Sequence, residues 1–312
     1  MSDIERWSPD IMHFHSVHIP EAILIARTLA RRNVPYCVAP HGGLIGGGRQ
    51  RLTSRALATA LERRYLDRAA FLHAVSRADL QGARRYATRV PIVLAPNGID
   101  PEVMPVELDS DLLRRRYRKF RGLRVLLYVG RLDPEVKGLN LLLQAWSRTG
   151  AASGMGLVIV GPDWRGGSRR LRLMAERLHL SGSVAFHGQT SGREKWDLLA
   201  GADIFVLPSR REAAPVTVLE AMLAAKPLLL SEAADPGKLI AQAGAGLVVQ
   251  PTLESMKKGL KAVSELSDER LTDMGVNARR LVNREFGWAR PTKMLLDAYE
   301  NAISSRTERT EP

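Results

Sequence analysis

The stretch Asp203-Ile204-Phe205-Val206-Leu207-Pro208-Ser209-Arg210-Arg211-Glu212-Ala213-Ala214-Pro215-Val216-Thr217-Val218-Leu219-Glu220-Ala221-Met222 decides how this chain folds. Its apolar opening, residues 203–207, reads as a buried strand. Pro208 and Ser209 end that strand, and residues 216–225 have the composition of a helix packed on a sheet. Glu212 then lies in the loop beyond the strand's carboxyl end, and Glu220 one to two turns into the helix. Ligands of open α/β sheets bind at that edge. Carboxylates accept hydrogen bonds from sugar hydroxyls, and the free backbone N–H groups of a helix start receive phosphate. The arrangement suits a ligand that is both polyhydroxylated and phosphorylated.

Outward from this stretch, short β-rich runs alternate with helical ones. Residues 11–15, 36–39, 71–74 and 92–95 read as strands, with helices near 22–32, 53–67 and 78–86 between them. Pro96-Asn97-Gly98-Ile99-Asp100-Pro101 breaks the pattern. A second strand series follows at 125–129, 157–160, 183–186, 204–207, 227–230 and 246–249, and the chain is helical from about Leu253. Such alternation implies parallel sheets with right-handed crossovers. The fold class is α/β, two Rossmann-like units with a boundary near residues 96–110. Residues 304–312 are polar and read as a frayed tail.

The length of 312 residues agrees with two domains. No apolar run approaches the roughly 20 residues of a membrane span. The first residues, Met1-Ser2-Asp3-Ile4-Glu5-Arg6-Trp7, lack the basic and apolar regions of a signal peptide. Cys37 is the only cysteine, which excludes an intrachain disulfide and points to the cytoplasm. A net charge of +13 favours an anionic partner: nucleotide phosphates, an anionic membrane surface or nucleic acid. The dense run Arg114-Arg115-Arg116-Tyr117-Arg118-Lys119-Phe120-Arg121 reads as a solvated helix face. No nucleic-acid-binding signature accompanies it, so no nucleic-acid partner is expected.

The second unit opens with Gly130-Arg131-Leu132-Asp133-Pro134-Glu135-Val136-Lys137-Gly138 after a strand. Gly130 lets the backbone turn sharply there. Arg131 and Lys137 flank a short loop before a helix, where both can address one anion, Arg as a bidentate fork and Lys as a point charge.

These motifs together resemble the retaining glycosyltransferases of family 4, which have the GT-B fold. The resemblance rests on Gly130-Arg131 with Lys137-Gly138, on Pro208-Ser209, and on Glu212 with Glu220-Ala221-Met222. Pro96-Asn97-Gly98-Ile99-Asp100, Pro40-His41-Gly42 and the closing Phe286, Trp288 and Tyr299 add to it, and it runs from about residue 10 to residue 300. It implies two Rossmann-like domains facing across a cleft: residues 1–105 on the acceptor side, residues 106–290 binding the nucleotide sugar, and residues 291–312 as a helix packing back on the first domain. It implies that Glu212 holds the donor sugar, Glu220 the ribose, and Arg131 and Lys137 the diphosphate, with Gly130, Pro215, Val216 and Thr217 lining the donor site. His41 matches the family's histidine near the transferred centre. Transfer would proceed with retention by a front-face reaction in which the leaving phosphate takes the acceptor's proton. No metal and no cofactor is required beyond the nucleotide-diphosphate-sugar donor. The acceptor class would be a saccharide or a lipid-linked saccharide, in polysaccharide or glycolipid biosynthesis at the inner face of a membrane.

Two departures stand out. Ala214 occupies a position where the family often has an aromatic residue. The chain also begins near a later strand of the family's first domain, which predicts a shortened first domain with an exposed sheet edge. Self-association or a protein partner at that edge follows, with weak transfer by the chain alone. A partner-dependent or non-catalytic nucleotide-sugar-binding subunit and a nucleotide-sugar epimerase of the same fold are the alternatives. Among other candidates, His13, His15 and His18 read as structural or substrate contacts rather than zinc ligands, with His13 and His15 on one face. Asp109-Ser110-Asp111 mimics a metal-binding DxD but reads as a helix N-cap. The glycine-rich residues 42–48 form a loop without the ending of a P-loop. Ser76 has no triad around it, and no nucleophile is assigned.

Overall fold

The computed structural model describes residues 7–45, 55–87, 89–149 and 154–307. The chain divides into two compact units, Met1–Asn97 with Trp288–Pro312, and Gly98–Gly287.

In the first unit four parallel strands lie in chain order: β1 (Met12–His15), β2 (Tyr36–Ala39), β3 (Phe71–Ala74) and β4 (Ile92–Leu94). Helices α1 (Pro20–Arg31), α2 (Arg55–Leu66) and α3 (Arg77–Tyr86) connect them. Strands β2 and β3 are buried throughout, which is why they read as unbroken apolar runs rather than alternating ones. Leu29, Val38, Leu66, Leu72 and Ala83 form the centre of this unit's core. Among the described residues β1 pairs with β2 alone and is an edge strand. Ser76 caps α3, its hydroxyl accepting the Asp79 N–H at 3.2 Å. The start expected for α2 at residue 53 lies outside the described residues, as do residues 46–48 of the glycine-rich loop.

The second unit carries six parallel strands in the order β10-β9-β8-β5-β6-β7. They are β5 (Arg124–Val129), β6 (Met155–Val160), β7 (Val184–Gly188), β8 (Ile204–Leu207), β9 (Leu228–Ser231) and β10 (Gly246–Val249). Between them run α4 (Leu112–Arg116), α5 (Leu139–Arg148), α6 (Gly167–Arg177), α7 (Gly192–Gly201) and α8 (Val216–Leu223), with α9 (Leu253–Glu265) and α10 (Asp268–Glu285) at the end. The chain leaves β5 toward β6 and β7, then returns to β8 on the other side of β5. The crevice beyond the carboxyl ends of β5 and β8 is therefore the sheet's switch point. The alternation of strand and helix thus produces the two parallel sheets it implied. The last helix, α11 (Ala289–Thr307), rejoins the first unit: the Tyr299 hydroxyl meets His13 Nδ1 at 2.6 Å, and its ring lies 5.8 Å from that of Phe71.

Three local expectations are corrected. The basic run is not one solvated helix face: α4 ends at Arg116, Tyr117 leaves helical geometry (φ −110, ψ 72), and a short 3-10 turn covers Arg118–Phe120. Too short to stand alone, this segment is fastened by its charges. Arg114 grips Asp203 at 2.7 and 3.0 Å and donates to the Gly201 carbonyl at 2.8 Å. Arg116 donates to Glu194 at 2.6 Å, and Lys119 donates to the carbonyls of Ser181 and Val184 at 2.6 and 2.8 Å. In the 109–111 segment the capping side chain is not that of Asp111, the residue before α4, which makes no capping bond. Asp109 instead accepts the Asp111 N–H at 3.1 Å and pairs with Arg115. Finally, residues 304–307 are helical rather than frayed, because α11 continues through Thr307.

Candidate active site

Two loops at the carboxyl edge of the second sheet, those after β5 and β8, build the site. The loop after β5 is shaped by the nearly buried Asp133, whose Oδ1 accepts the N–H groups of Glu135 and Val136 at 3.1 and 3.0 Å. Gly138 closes it as the residue before α5, at φ 67, where a side chain would collide with the Pro208 carbonyl oxygen. That contact joins the loop after β5 to the loop after β8. Arg210 strengthens the join: its N–H donates to the Val136 carbonyl at 2.9 Å, and its guanidinium donates to the Glu135 carbonyl and Asn140 Oδ1 at 2.6 and 2.8 Å. Gly130 does not adopt the positive φ that a sharp glycine turn would show. A side chain is excluded there because the Tyr128 hydroxyl, which donates to the Arg131 carbonyl at 2.8 Å, stands over it.

The two joined loops bring Lys137 and Glu212 together. The Lys137 ammonium donates to Glu212 Oε1 at 2.6 Å, with the two side chains only 14% and 8% exposed. The buried Ser209 hydroxyl donates to the same oxygen at 2.6 Å. The backbone of Ser209 is fixed in turn, because its carbonyl accepts the Ser231 hydroxyl at 2.5 Å from the end of β9. Helix α8 starts just beyond. Its first turn has Pro215 at the N-cap with no side-chain acceptor, and Val216 is exposed. This leaves backbone donors and the positive end of a helix dipole beside the Lys137–Glu212 pair.

Glu220, in the second turn of α8, is not in that pair. Lys195 of α7 donates to its Oε1 at 2.6 Å, and among the described residues its buried Oε2 has no hydrogen-bond partner. Arg131 also stands apart from Glu212. It is exposed, and its guanidinium stacks 4.5 Å from the centroid of the Trp164 ring. Ser209, Lys195 and Trp164 thus touch the candidate residues Glu212, Glu220 and Arg131, and the sequence alone gave them no role. Ser209 lay inside the quoted motif, whereas Lys195 and Trp164 carry no local signal.

His41 belongs to the first unit. Its backbone is left-handed (φ 48), held by Asp79, which is fully buried and accepts the N–H groups of Gly42 and Val75 at 2.9 and 3.2 Å. His41 Nε2 and His15 Nδ1 are 2.8 Å apart, so one ring donates and the other accepts. His15 stacks on His13 with ring centroids 4.4 Å apart, and His73 lies 5.4 Å from His13. The His73 Nε2–H donates to the Ala95 carbonyl at 2.8 Å. Burial, with lesser contributions from the neighbouring imidazoles, lowers His13 to about 3 and depresses His41 and His73 as well. Burial likewise raises Asp79. His13, His41 and His73, all lowered from 6.5, are neutral near pH 7. His18 does not join it: its backbone N–H donates to Glu62 at 3.0 Å, and its ring nitrogen is 3.8 Å from that carboxylate.

Two parallel sheets, with an Arg-Lys loop and an acid-bearing loop joined at the switch point of the second, define a GT-B glycosyltransferase architecture. Residues 109–281 match the glycosyl transferases group 1 family and residues 3–98 match a glycosyl transferase 4-like domain. The chain belongs to the glycosyl transferases group 1 family.

Among curated proteins it is similar to D-inositol 3-phosphate glycosyltransferase of Stackebrandtia nassauensis, 27% identical over 228 residues. That match covers 69% of this chain and 50% of the relative, so the chain spans about half the length of that relative. Among solved structures it is similar in fold to a sucrose-phosphate synthase from Thermosynechococcus elongatus (TM-score 0.81, 18% identity, covering 97% of this chain and 76% of the other). It is also similar to Anabaena HepE, solved in complex with UDP and glucose (TM-score 0.79, 18% identity, 96% and 81% covered).

Proposed function

We propose that this chain carries the donor site of a retaining glycosyltransferase that moves a hexose-type sugar from a nucleotide-diphosphate sugar to a saccharide or lipid-linked acceptor. The observation that carries this reading is the nearly buried Lys137–Glu212 pair at 2.6 Å, at the sheet's switch point beside the start of α8. Transfer breaks the bond between the anomeric carbon and the diphosphate oxygen, and the leaving nucleoside diphosphate takes the electron pair. Lys137, Arg131, the N–H groups of Val216 and Thr217 and the α8 dipole stabilise the charge it gains. Glu212, oriented by Lys137 and Ser209, accepts hydrogen bonds from the donor sugar's hydroxyls, and Glu220 takes the ribose. The acceptor oxygen forms the new bond on the face the leaving group departs from, and its proton passes to the leaving phosphate. To His41 we assign a role at the transferred centre, from its match to the family's histidine. These residues ask for no metal ion.

The HepE complex with UDP and glucose supports the donor class, and the family supports the reaction class. The reading places the protein in polysaccharide or glycolipid synthesis in the cytoplasm, its net charge of +13 holding it to an anionic membrane that carries the acceptor. No described helix is long and apolar enough to cross a membrane. Self-association at the β1 edge is the further expectation, read by light scattering.

Calorimetric titration of wild type and Glu212→Ala with UDP, GDP, ADP and their sugar conjugates tests the reading. One nucleotide sugar binds selectively, and the substitution weakens the sugar conjugate more than the free diphosphate. Failure of every nucleotide to bind, or equal weakening of both ligands, refutes the assigned roles.

A further inference from the structure

Trp164 and Arg165 stand just past the carboxyl end of β6, in a turn that is firmly built. Asp163 accepts the Gly166 N–H at 2.9 Å on one carboxylate oxygen and the Ser168 N–H at 2.7 Å on the other. A parallel bridge ties Asp163 to Leu132, the residue after Arg131. The turn holds Arg165 at φ 51, a left-handed conformation that costs a non-glycine residue on the order of 1 kcal/mol and persists only where its surroundings impose it.

The result is one half-exposed indole (37% exposed) carrying two guanidiniums, Arg131 at 4.5 Å and Arg165 at 5.4 Å from the ring centroid. Neither has a carboxylate partner among the described residues, and the turn's own acid has both oxygens engaged by backbone N–H groups. Some exposed arginines of this unit do find acids: Arg115 with Asp109, Arg116 with Glu194, Arg193 with Asp197. Two like charges held on one ring repel each other until an anion lies between or against them. The indole holds both guanidiniums within cation–π distance of its ring. A diphosphate, with charge on two phosphate groups, is the anion that two forks match and one does not.

We propose that Trp164 and Arg165 are donor-binding residues: the indole positions Arg131, and Arg165 supplies a second guanidinium to the diphosphate of the nucleotide sugar. This rests on the donor-site reading above. The test is calorimetry with UDP, GDP and ADP and the matching monophosphates on wild type, Arg165→Gln, Trp164→Ala, Trp164→Phe and Arg169→Gln. Arg169, exposed on α6, controls for loss of bulk charge. Arg165→Gln is expected to weaken the diphosphate about tenfold and the monophosphate less than about threefold. Trp164→Ala weakens the diphosphate comparably, Trp164→Phe recovers most of the loss, and Arg169→Gln leaves binding within about twofold.

Arg165→Gln binding the diphosphate as wild type does, or losing no more than Arg169→Gln, overturns the proposal while the donor site stands. Trp164→Phe as weak as Trp164→Ala overturns the role of the ring. Wild type binding none of the diphosphates removes the donor-site reading and this inference with it.

Discussion

Acidification should loosen the first unit well before its carboxylates titrate, and His13 sets the size of the effect. Its ring is stacked 4.4 Å from His15, lies 5.4 Å from His73 and has Nδ1 on the Tyr299 hydroxyl. Burial, then the coulombic influence of His15, His73 and His41, holds its pKa near 3 against an ordinary 6.5. An unfolded chain therefore takes up the proton near 6.5, while the folded chain resists it down to about 3. The stability this represents is complete above the unfolded value and is lost as pH falls, at about 1.4 kcal/mol per unit. Between about pH 7.5 and about pH 5 the full shift corresponds to roughly 2 kcal/mol, which solvent screening of the partly exposed ring reduces to roughly 1 kcal/mol, still a sizeable share of the 5–15 kcal/mol that holds a typical domain together. His41 and His73, also depressed, add losses of the same sign. Asp79, raised by burial, works in the opposite direction, because its folded carboxyl accepts a proton more readily than its unfolded one. Hydrogen exchange of β1 and β2 peptides in urea, corrected for intrinsic rates, measures the local stability at both pH values. His13→Gln should remove roughly 1 kcal/mol of the pH-dependent loss. A wild-type loss below about 0.5 kcal/mol, or one that His13→Gln leaves unchanged, would refute the reasoning.

Lys195→Met leaves the Glu220 carboxylate nearly buried without its counter-ion. It should cost about 3 kcal/mol in urea unfolding of the second unit, with most of the loss recovered in the Lys195→Met, Glu220→Gln double variant. Gly138→Ala puts a methyl group against the Pro208 carbonyl at a positive φ. A destabilisation of about 2–3 kcal/mol is expected, with nucleotide binding at least about tenfold weaker as Lys137 shifts. Arg114→Met removes a bidentate grip on Asp203 at a partly exposed site, and a fall of about 1–2 kcal/mol in the urea-derived stability of the second unit is its signature.

The sheets were legible in the sequence because their strands are buried on both faces. Tyr36–Ala39, Phe71–Ala74 and Ile204–Leu207 sit where unbroken apolar runs end at turn residues, and such runs need no knowledge of distant partners. Local chemistry likewise placed Glu212 in a loop and Glu220 in a helix. The state of those side chains was not legible. Glu212 takes its cation from Lys137, 75 residues away, and Glu220 from Lys195, 25 residues away. His13 meets Tyr299 across 286 residues. The basic run around Arg114 read as a solvated face because its acids, Asp203 and Glu194, arrive from other strands and helices. Secondary structure follows from neighbours within a turn or two. Ion pairs, stacked rings and displaced pKa values depend on which residues the crossovers bring within a few ångströms, and only the tertiary structure decides that.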